Sequence, residues 1–203
     1  NLLRVSSDSL VRARLQELVE CHLRYILNPV NNHLYLFFDE KWNPRLNGVS
    51  FGHDIEASWL ITESAEVLGD DKIQARVKSA VHKIVAAVIA EGFNQHNALP
   101  VANDMAGSLS ANNFEWWQQA EALVGLINAY QLYGDSSYLD RACRLWDFID
   151  KYFVDWQRGE WYYEISAEGI PNPAKPKVSE WKCCYHNTRA CLEVLKRTAQ
   201  LIN

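Results

Sequence analysis

The residues most suited to chemistry lie together near position 53. The stretch 51–60 reads FGHDIEASWL and places an imidazole, two carboxylates and an indole at the start of an apolar, helix-forming run. Because each residue of a helix turns about 100°, one face is expected to carry His53, Glu56, Trp59, Leu60 and Glu63. A base, an acid and a flat apolar surface on one face are typical of a site that handles a sugar. An amphipathic helix with a hydrogen-bonded histidine also accounts for this pattern.

Two further clusters repeat this mixture of residue types. Trp117 and Glu121 lie in the run WWQQAE, and Trp181 and His186 lie in the run WKCCYHN. His53, Trp117 and His186 are 64 and 69 residues apart, each at the front of every second predicted helix. In a repeating array of helical hairpins, alternate helices can form an inner layer that starts at one rim. The spacing therefore predicts that the three clusters converge on one pocket.

The two histidines at His53 and His186 indicate proton transfer. Imidazole titrates near pH ~6.5, so it can accept or donate a proton at neutral pH with little penalty. Two imidazoles on opposite faces of a substrate carbon could remove a proton on one side and return one on the other, which suits inversion next to a carbonyl. The alternatives stay open: His186 could be a core histidine, the two glutamates could be partners of a histidine or surface charges, and the three tryptophans could be core residues.

Two other chemistries could use the same residues. Two His and two Glu could bind a divalent ion, but the chain has no HExxH spacing, so no metal site is predicted. Glycoside hydrolysis needs a pair of carboxylates, for which Asp54, Glu56 and Glu121 are the candidates, but it leaves the two histidines without a role. The remaining histidines are expected to be structural or exposed: His22, His33, His82 and His96.

The apolar periodicity predicts an all-α protein of six helices arranged as hairpins, with two short strand-like insertions. The length of 203 residues suits one domain spanning 1–203. The predicted helices are 9–27, 52–68, 71–91, 113–133, 137–155 and 188–202, after the tail of another helix at 1–5. The strand-like runs are 33–39 and 159–165, and a long loop, a common place for function, is predicted at 92–112.

Composition argues against several classes of partner. The net charge is −5 and the 20 Lys and Arg form no basic block, which argues against nucleic acid. No apolar run reaches the roughly 18 residues of a membrane span, and the start does not resemble a signal peptide. The five cysteines include no CxxC pair, so we expect reduced, mostly buried thiols, a cytoplasmic protein and no structural zinc site.

The three clusters resemble the sequence blocks of the N-acylglucosamine 2-epimerase superfamily, in its cellobiose 2-epimerase branch. The matching blocks are GHDIEASWL at 52–60, WWQQAEA at 116–122 and WKCCYHNTR at 181–189. They occur in the family's order, and the similarity runs along essentially the whole chain. Asp54 and the run Ala-Ser-Trp at 57–59 favour the cellobiose branch.

The resemblance implies an (α/α)6 barrel whose enzymes interconvert glucose and mannose units at the reducing end of β-1,4-linked disaccharides, without a redox cofactor or a metal. It implies ring opening, proton removal from C2, a cis-enediolate and reprotonation on the opposite face. His53 and His186 match the acid/base histidines, and which of them is the base depends on the direction of reaction. Glu56 would support His53 or bind hydroxyls. The remaining matches would shape the sugar subsites: Trp59, Trp117, Glu121 and Trp181.

One departure from the family pattern is large, because such a barrel needs twelve helices and this chain supplies six. The match corresponds to the family's second half. A half barrel would expose apolar helix faces, which proteins in water rarely tolerate over large areas. The chain is therefore predicted to be a fragment, or to be completed by a second chain, and to act on a disaccharide or monosaccharide. Two other hypotheses remain, an aldose–ketose isomerase of the same superfamily and an inactive carbohydrate-binding or interaction fragment.

Overall fold

The computed structural model describes residues 1–45, 48–95, 97–101 and 113–202. Within these ranges the chain forms seven α-helices and one two-stranded antiparallel sheet. The helices are α1 (Leu2–Val5), α2 (Ser9–Cys21), α3 (Phe51–Leu68), α4 (Asp71–Glu91), α5 (Trp116–Tyr133), α6 (Ser136–Phe148) and α7 (Tyr185–Ile202). The strands are β1 (Asn113–Glu115) and β2 (Glu164–Ser166), with Phe114 opposite Ile165. The predicted all-α fold of helical hairpins is confirmed.

Helices α3, α5 and α7 form an inner layer, with α5 in the middle. Helix α5 packs against α3 on one side and against α7 on the other, while α4 and α6 pack behind them. The sequence of α5 is apolar around most of its circumference, and most of its residues are buried. A helix with this pattern must be covered on nearly all sides. Its position in the centre of the layer meets that requirement.

The outer helix α4 is amphipathic and begins and ends where its sequence requires. Asp70 is its N-cap, and one carboxylate oxygen accepts the backbone N–H groups of Lys72 and Ile73. Capping of this kind satisfies N–H groups that have no partner within the helix. Its buried stripe recurs at helical spacing and faces the inner layer: Ile73, Val77, Ala80, Val81, Ile84, Val85, Ala87 and Val88. The predicted bounds of this helix are confirmed.

Several predicted boundaries move. Helices α2 and α6 end earlier than predicted, and each continues as one π-helical segment, at His22–Ile26 and Ile149–Phe153. Helix α7 begins at Tyr185, three residues before the predicted start. The predicted strand-like run 159–165 is confirmed only at its end, where β2 begins. Residues 113–115, predicted as helix, form β1 because they pair with β2.

The prediction of a strand at 33–39 is wrong. Its aromatic residues pack against one another, since the ring of Phe38 contacts those of Tyr35 and Trp42, and no continuous ladder forms. Only isolated bridges occur there, between Leu27 and Leu34 and between Phe38 and Pro44. Most of the predicted loop at 92–112, including His96, lies outside the described residues.

The cysteines differ from the prediction of mostly buried thiols. All five are free, three of them are exposed and two are half-buried: Cys143, Cys183, Cys184, Cys21 and Cys191. Cys191 is packed against the hydrophobic core, and burial raises the pKa of its thiol. None of the helices in the described part of the chain combines the length and apolar character that a bilayer span requires.

One side of the inner layer is only partly covered by the described elements. A groove of about 460 Å³ lies there, between the face of α3 and helices α1 and α2. Large apolar side chains on α1, α2, α3 and α7 are exposed on the surface: Leu2, Val5, Leu10, Leu18, Leu60, Leu192 and Leu195. Exposed apolar surface of this extent is typical of a face that binds another part of a protein.

Candidate active site

The first turns of α3, α5 and α7 meet at one rim and enclose a cleft of about 270 Å³. Seven side chains line it: His53, Glu56, Trp116, Trp117, Tyr163, Trp181 and His186. The structure therefore brings together the three clusters that the sequence spacing predicts should converge. Five of the seven predicted site residues line this cleft, and the other two, Trp59 and Glu121, lie beneath it.

Glu121 is buried below the cleft and binds three donors. Its Oε1 atom lies 2.7 Å from Nδ1 of His186 and 2.6 Å from Nη2 of Arg189. Its Oε2 atom accepts the indole N–H of Trp59 at 3.0 Å. A carboxylate only accepts hydrogen bonds when it is ionised, so the imidazole must carry its proton on Nδ1. The Nε2 atom of His186, which has no hydrogen-bond partner among the described residues, is then left with a lone pair.

Arg189 provides the positive charge between the two glutamates. Its Nη2 atom lies 2.6 Å from Oε1 of Glu56 as well as from Glu121. Its guanidinium carbon lies 4.9 Å from the ring centre of Trp59 and 4.4 Å from that of Tyr185, whose hydroxyl it also binds. Burial opposes the charge, but the two carboxylates outweigh it and raise the pKa of Arg189. Arg189 therefore links Glu56, which lines the cleft, to Glu121, which lies beneath it.

Glu56, Glu121 and His186 also have the composition of a metal site, since one ligand atom from each lies within 4.8 Å of the others. A divalent cation would have to displace the guanidinium of Arg189, which already binds both carboxylates. The arrangement is thus an internal ion pair with a histidine attached. In this arrangement Arg189 occupies carboxylate oxygens that a metal ion would use.

His53 also lines the cleft and is exposed. Its Nδ1 atom is 2.6 Å from the hydroxyl oxygen of Ser50, the N-cap residue of α3. Ser50 makes no side-chain bond to the helix backbone, so its hydroxyl is available to orient the imidazole. The Nε2 atom of His53, like that of His186, has no hydrogen-bond partner within the described ranges. In each histidine, Nδ1 is therefore hydrogen-bonded within the protein, and Nε2 is available to a substrate.

The Trp117 ring contacts both histidines. Its ring centre is 4.8 Å from that of His53 and 5.8 Å from that of His186. The indole N–H donates to Glu115 at 2.8 Å, which fixes the plane of the ring. Burial raises the pKa of Glu115, against the effect of this hydrogen bond. The two imidazoles thus share one rigid aromatic neighbour.

Gly52 allows this approach of α3 to Trp117. A Cβ atom at position 52 would lie 2.6 Å from the edge of the Trp117 ring and from the side chain of Gln118. Real Cβ contacts are not this short, so any larger residue must push the indole away. The glycine next to His53 is therefore required by packing.

A buried ion pair holds the loop that carries Trp181. The Trp181 side chain is 79% exposed, whereas its neighbour Lys182 is fully buried. The Lys182 ammonium lies 3.0 Å from Oε1 of Glu160, which also accepts the side-chain amide of Asn187 at 2.8 Å. This pair ties the loop to the first turn of α7 and so places Trp181 and His186 at the same rim.

The side chains of Trp59 and Asp54 are buried and do not line the cleft. Trp59 is only 2% exposed, so its indole supports Glu121 from below. Asp54 is fully buried and bonds to His33 on the core side of α3. The glycosidase alternative therefore loses one of its three carboxylates, and Arg189 binds the other two.

Sequence reasoning gave no role to four residues of this site: Ser50, Trp116, Tyr163 and Arg189. The spacing of two of them along the sequence could have predicted their place in the site. Arg189 follows His186 by three residues and so shares its helix face, and Ser50 precedes His53 by three residues at the start of α3. The contribution of Tyr163 depends on pairing between β1 and β2, which no local pattern shows.

Comparisons with known proteins agree with this combination of hairpins and cleft. A family model described as N-acylglucosamine 2-epimerase (GlcNAc 2-epimerase) matches residues 3–190. The chain belongs to this family. It is 38% identical over 198 residues to a cellobiose 2-epimerase of Dictyoglomus turgidum and 37% identical over 195 residues to one of Bacteroides fragilis. These alignments cover 97% and 96% of this chain but 50% of each relative.

Solved structures show the same relation. The structure of a cellobiose 2-epimerase from Spirochaeta thermophila matches with a TM-score of 0.85 and 37% identity, over 100% of this chain and 50% of that one. A sugar epimerase from a ruminal bacterium matches with a TM-score of 0.92 and 34% identity, over 97% and 50%. The chain thus has the fold of half an (α/α)6 barrel and spans about half the length of the relatives it matches.

Proposed function

We propose that this chain carries one half of a sugar 2-epimerase of the cellobiose type, with His53 and His186 as the proton-transfer pair. The observation that carries the proposal is the pair of imidazoles that both contact the Trp117 ring, each with one nitrogen hydrogen-bonded and the other available. Membership of the N-acylglucosamine 2-epimerase family supports it. The cellobiose 2-epimerases at 37–38% identity support the choice of substrate class.

In the proposed reaction, one imidazole removes the proton from C2 of the open-chain aldose, and the C2–H electron pair forms the double bond of an enediolate. The other imidazole then returns a proton to the opposite face of C2, and the carbonyl at C1 re-forms. Positioned proton transfer of this kind contributes about 10²- to 10⁴-fold in rate. No electron leaves or enters the sugar overall, so the proposed reaction needs no redox cofactor.

The surroundings of the two histidines suit this task. Glu121 holds the His186 tautomer in which Nε2 can accept a proton, and it stabilises the imidazolium that forms. Trp117 and Trp181 offer flat apolar surfaces for the sugar rings. Glu56 lines the cleft and can accept bonds from hydroxyl groups while it is held by Arg189. Trp59 and Glu121 act from below.

We further propose that the domain 1–203 acts together with a second half, either further chain or another copy, that completes the barrel. The apolar faces of α3 and α7 and the groove beside α3 support this, because a closed barrel buries them. Size-exclusion chromatography with light scattering tests it. A stable, well-folded monomer of this chain alone contradicts the completion.

Incubation with cellobiose in deuterated water tests the reaction. We expect an epimer with glucose replaced by mannose at the reducing end, carrying deuterium at C2. His53→Gln and His186→Gln should each lower kcat by about 10²- to 10⁴-fold, while His82→Gln, which alters an exposed histidine on α4, should leave it unchanged. A ketose product assigns the aldose–ketose isomerase instead, and cleavage to monosaccharides assigns a glycosidase. If the chain is inactive and still binds sugar after both His53 and His186 are replaced by Ala, its function is that of a carbohydrate-binding module.

A further inference from the structure

A second histidine cluster lies on the core side of the helix turn that carries His53. Asp54 follows His53 directly, but it is fully buried and points away from the cleft residues. Its Oδ2 atom lies 2.7 Å from Nδ1 of His33, and its Oδ1 atom accepts the backbone N–H of Leu34 at 2.8 Å. Asp54 therefore fastens the segment after α2 to the start of α3.

His33 contacts a second carboxylate through its other nitrogen. Its Nε2 atom lies 3.2 Å from Oε2 of Glu91, at the end of α4. A neutral imidazole has one N–H and one lone pair, so it can donate to both carboxylates only as an imidazolium. Burial disfavours that charge, but the hydrogen bonds and charges of the two carboxylates outweigh it and raise the pKa of His33. The buried ring thus joins α3 and α4 with a carboxyl group at each of its nitrogens.

The same turn holds His53 from the other side. The backbone N–H of Asp54 donates to the carbonyl of Ser50 at 2.9 Å, and the hydroxyl of Ser50 contacts His53. The ring of His33 also meets Phe51, the first residue of α3, edge-on at 5.7 Å. The contacts of His33 with Asp54 and Phe51 therefore also hold the turn that carries Ser50 and His53 at the cleft.

We propose that His33, Asp54 and Glu91 form a clamp that holds the first turn of α3, and that His33 is a positioning residue for His53. The ionisable groups that face His33 in the described chain are Asp54 from α3 and Glu91 from α4, and His53 acts on Asp54 from the neighbouring position. The catalytic consequence rests on the proposed function, whereas the clamp itself does not.

Amide hydrogen exchange and histidine NMR on the full chain test the clamp without any need for turnover. His33→Phe keeps a ring against Phe51 and removes both hydrogen bonds. Loss of a buried charge-assisted bond should make the amides of 51–56 exchange about tenfold to a hundredfold faster, with little change in the middle of α5. The nuclear Overhauser contacts between the His53 and Trp117 rings should weaken. His82→Gln, the matched control, should change neither.

Glu91→Gln provides a second test that does not threaten the fold, because the Glu91 side chain is largely exposed. Its amide cannot supply the negative charge, so the His33 imidazolium should disappear at a lower pH than in the unmodified chain. Protection of 51–56 should then fall relative to the unmodified chain at pH ~8 and match it at pH ~5. Unchanged protection at both pH values, or an unchanged His33 titration, overturns the clamp. In a complete, active epimerase, His33→Phe should lower kcat more than it changes KM. An unchanged kcat with a proven clamp shows that the clamp is structural only.

Discussion

Replacing Glu121 with glutamine exchanges one carboxylate oxygen for an NH₂ group in a side chain that accepts hydrogen bonds from three donors. The carboxylate accepts bonds from Trp59, His186 and Arg189 through its two oxygens. A glutamine has one accepting oxygen and an NH₂ group that donates, so at least one of the three donors must face another donor. Because Glu121 is buried, that donor cannot turn to water.

The cost follows from the loss of a bond to a buried ionised group, which is about 2–3 kcal/mol in free energy of unfolding. For a chain of this length each kcal/mol lowers Tm by about 2–4 °C, so the expected fall is about 4–12 °C. Circular dichroism during heating measures it. In histidine NMR, His186 should also change from one tautomer to a mixture.

Glu56→Gln is the matched control. Glu56 is half-buried and accepts one bond, from Arg189, which the glutamine oxygen can still accept. The expected loss is below about 1 kcal/mol. If the two variants lower Tm equally, or if Glu121→Gln stays within about 0.5 kcal/mol of the unmodified chain, the three-donor argument is refuted.

Three further predictions concern the rest of the fold. Gly125→Ala should lower the free energy of unfolding by about 1–3 kcal/mol in urea titrations. The reason is that a Cβ atom at position 125 would lie 2.6 Å from Cγ1 of Ile55, where α5 meets α3. An unchanged urea midpoint contradicts that close packing. Because the pKa of His33 is raised on folding, its contribution to stability is complete below pH ~6.5 and is lost as the pH rises through the folded value. A His33→Gln chain should show less of this alkaline loss in unfolding titrations at a series of pH values, and an identical pH dependence argues against the buried imidazolium. The double variant Leu192→Asp, Leu195→Asp should change the free energy of unfolding by less than about 0.5 kcal/mol, because both side chains are exposed. In light scattering, the same variant should no longer associate with a second half. Association that persists excludes this face of α7 from the contact.

The sequence was sufficient for the helices and for the convergence of the three clusters. Helical periodicity predicted the bounds of α4 because its buried stripe faces one layer, formed by α3 and α5. The regular spacing of His53, Trp117 and His186 predicted a shared rim because successive hairpins repeat with nearly the same length. These are properties that local spacing controls.

Other features depend on contacts between distant parts of the chain. Arg189 lies 68 residues from Glu121 and 133 from Glu56, so only the fold reveals that one guanidinium binds both. The burial of Trp59 depends on α5 and α7 covering the same face of α3. The run 33–39 is short, aromatic and strand-like, but ring packing and the bonds of Asp54 to His33 and Leu34 use those residues instead.

The shared starting rim of α3, α5 and α7 also has an electrostatic consequence. The peptide dipoles of a helix sum to about half a positive elementary charge at its N-terminus. Because three first turns meet at the cleft, three such partial charges act on the same volume, beside the full charge of Arg189. They offset the negative field of Glu56 at the cleft wall and of Glu121 beneath it. In the proposed reaction, the enediolate would therefore form where the backbone itself attracts negative charge.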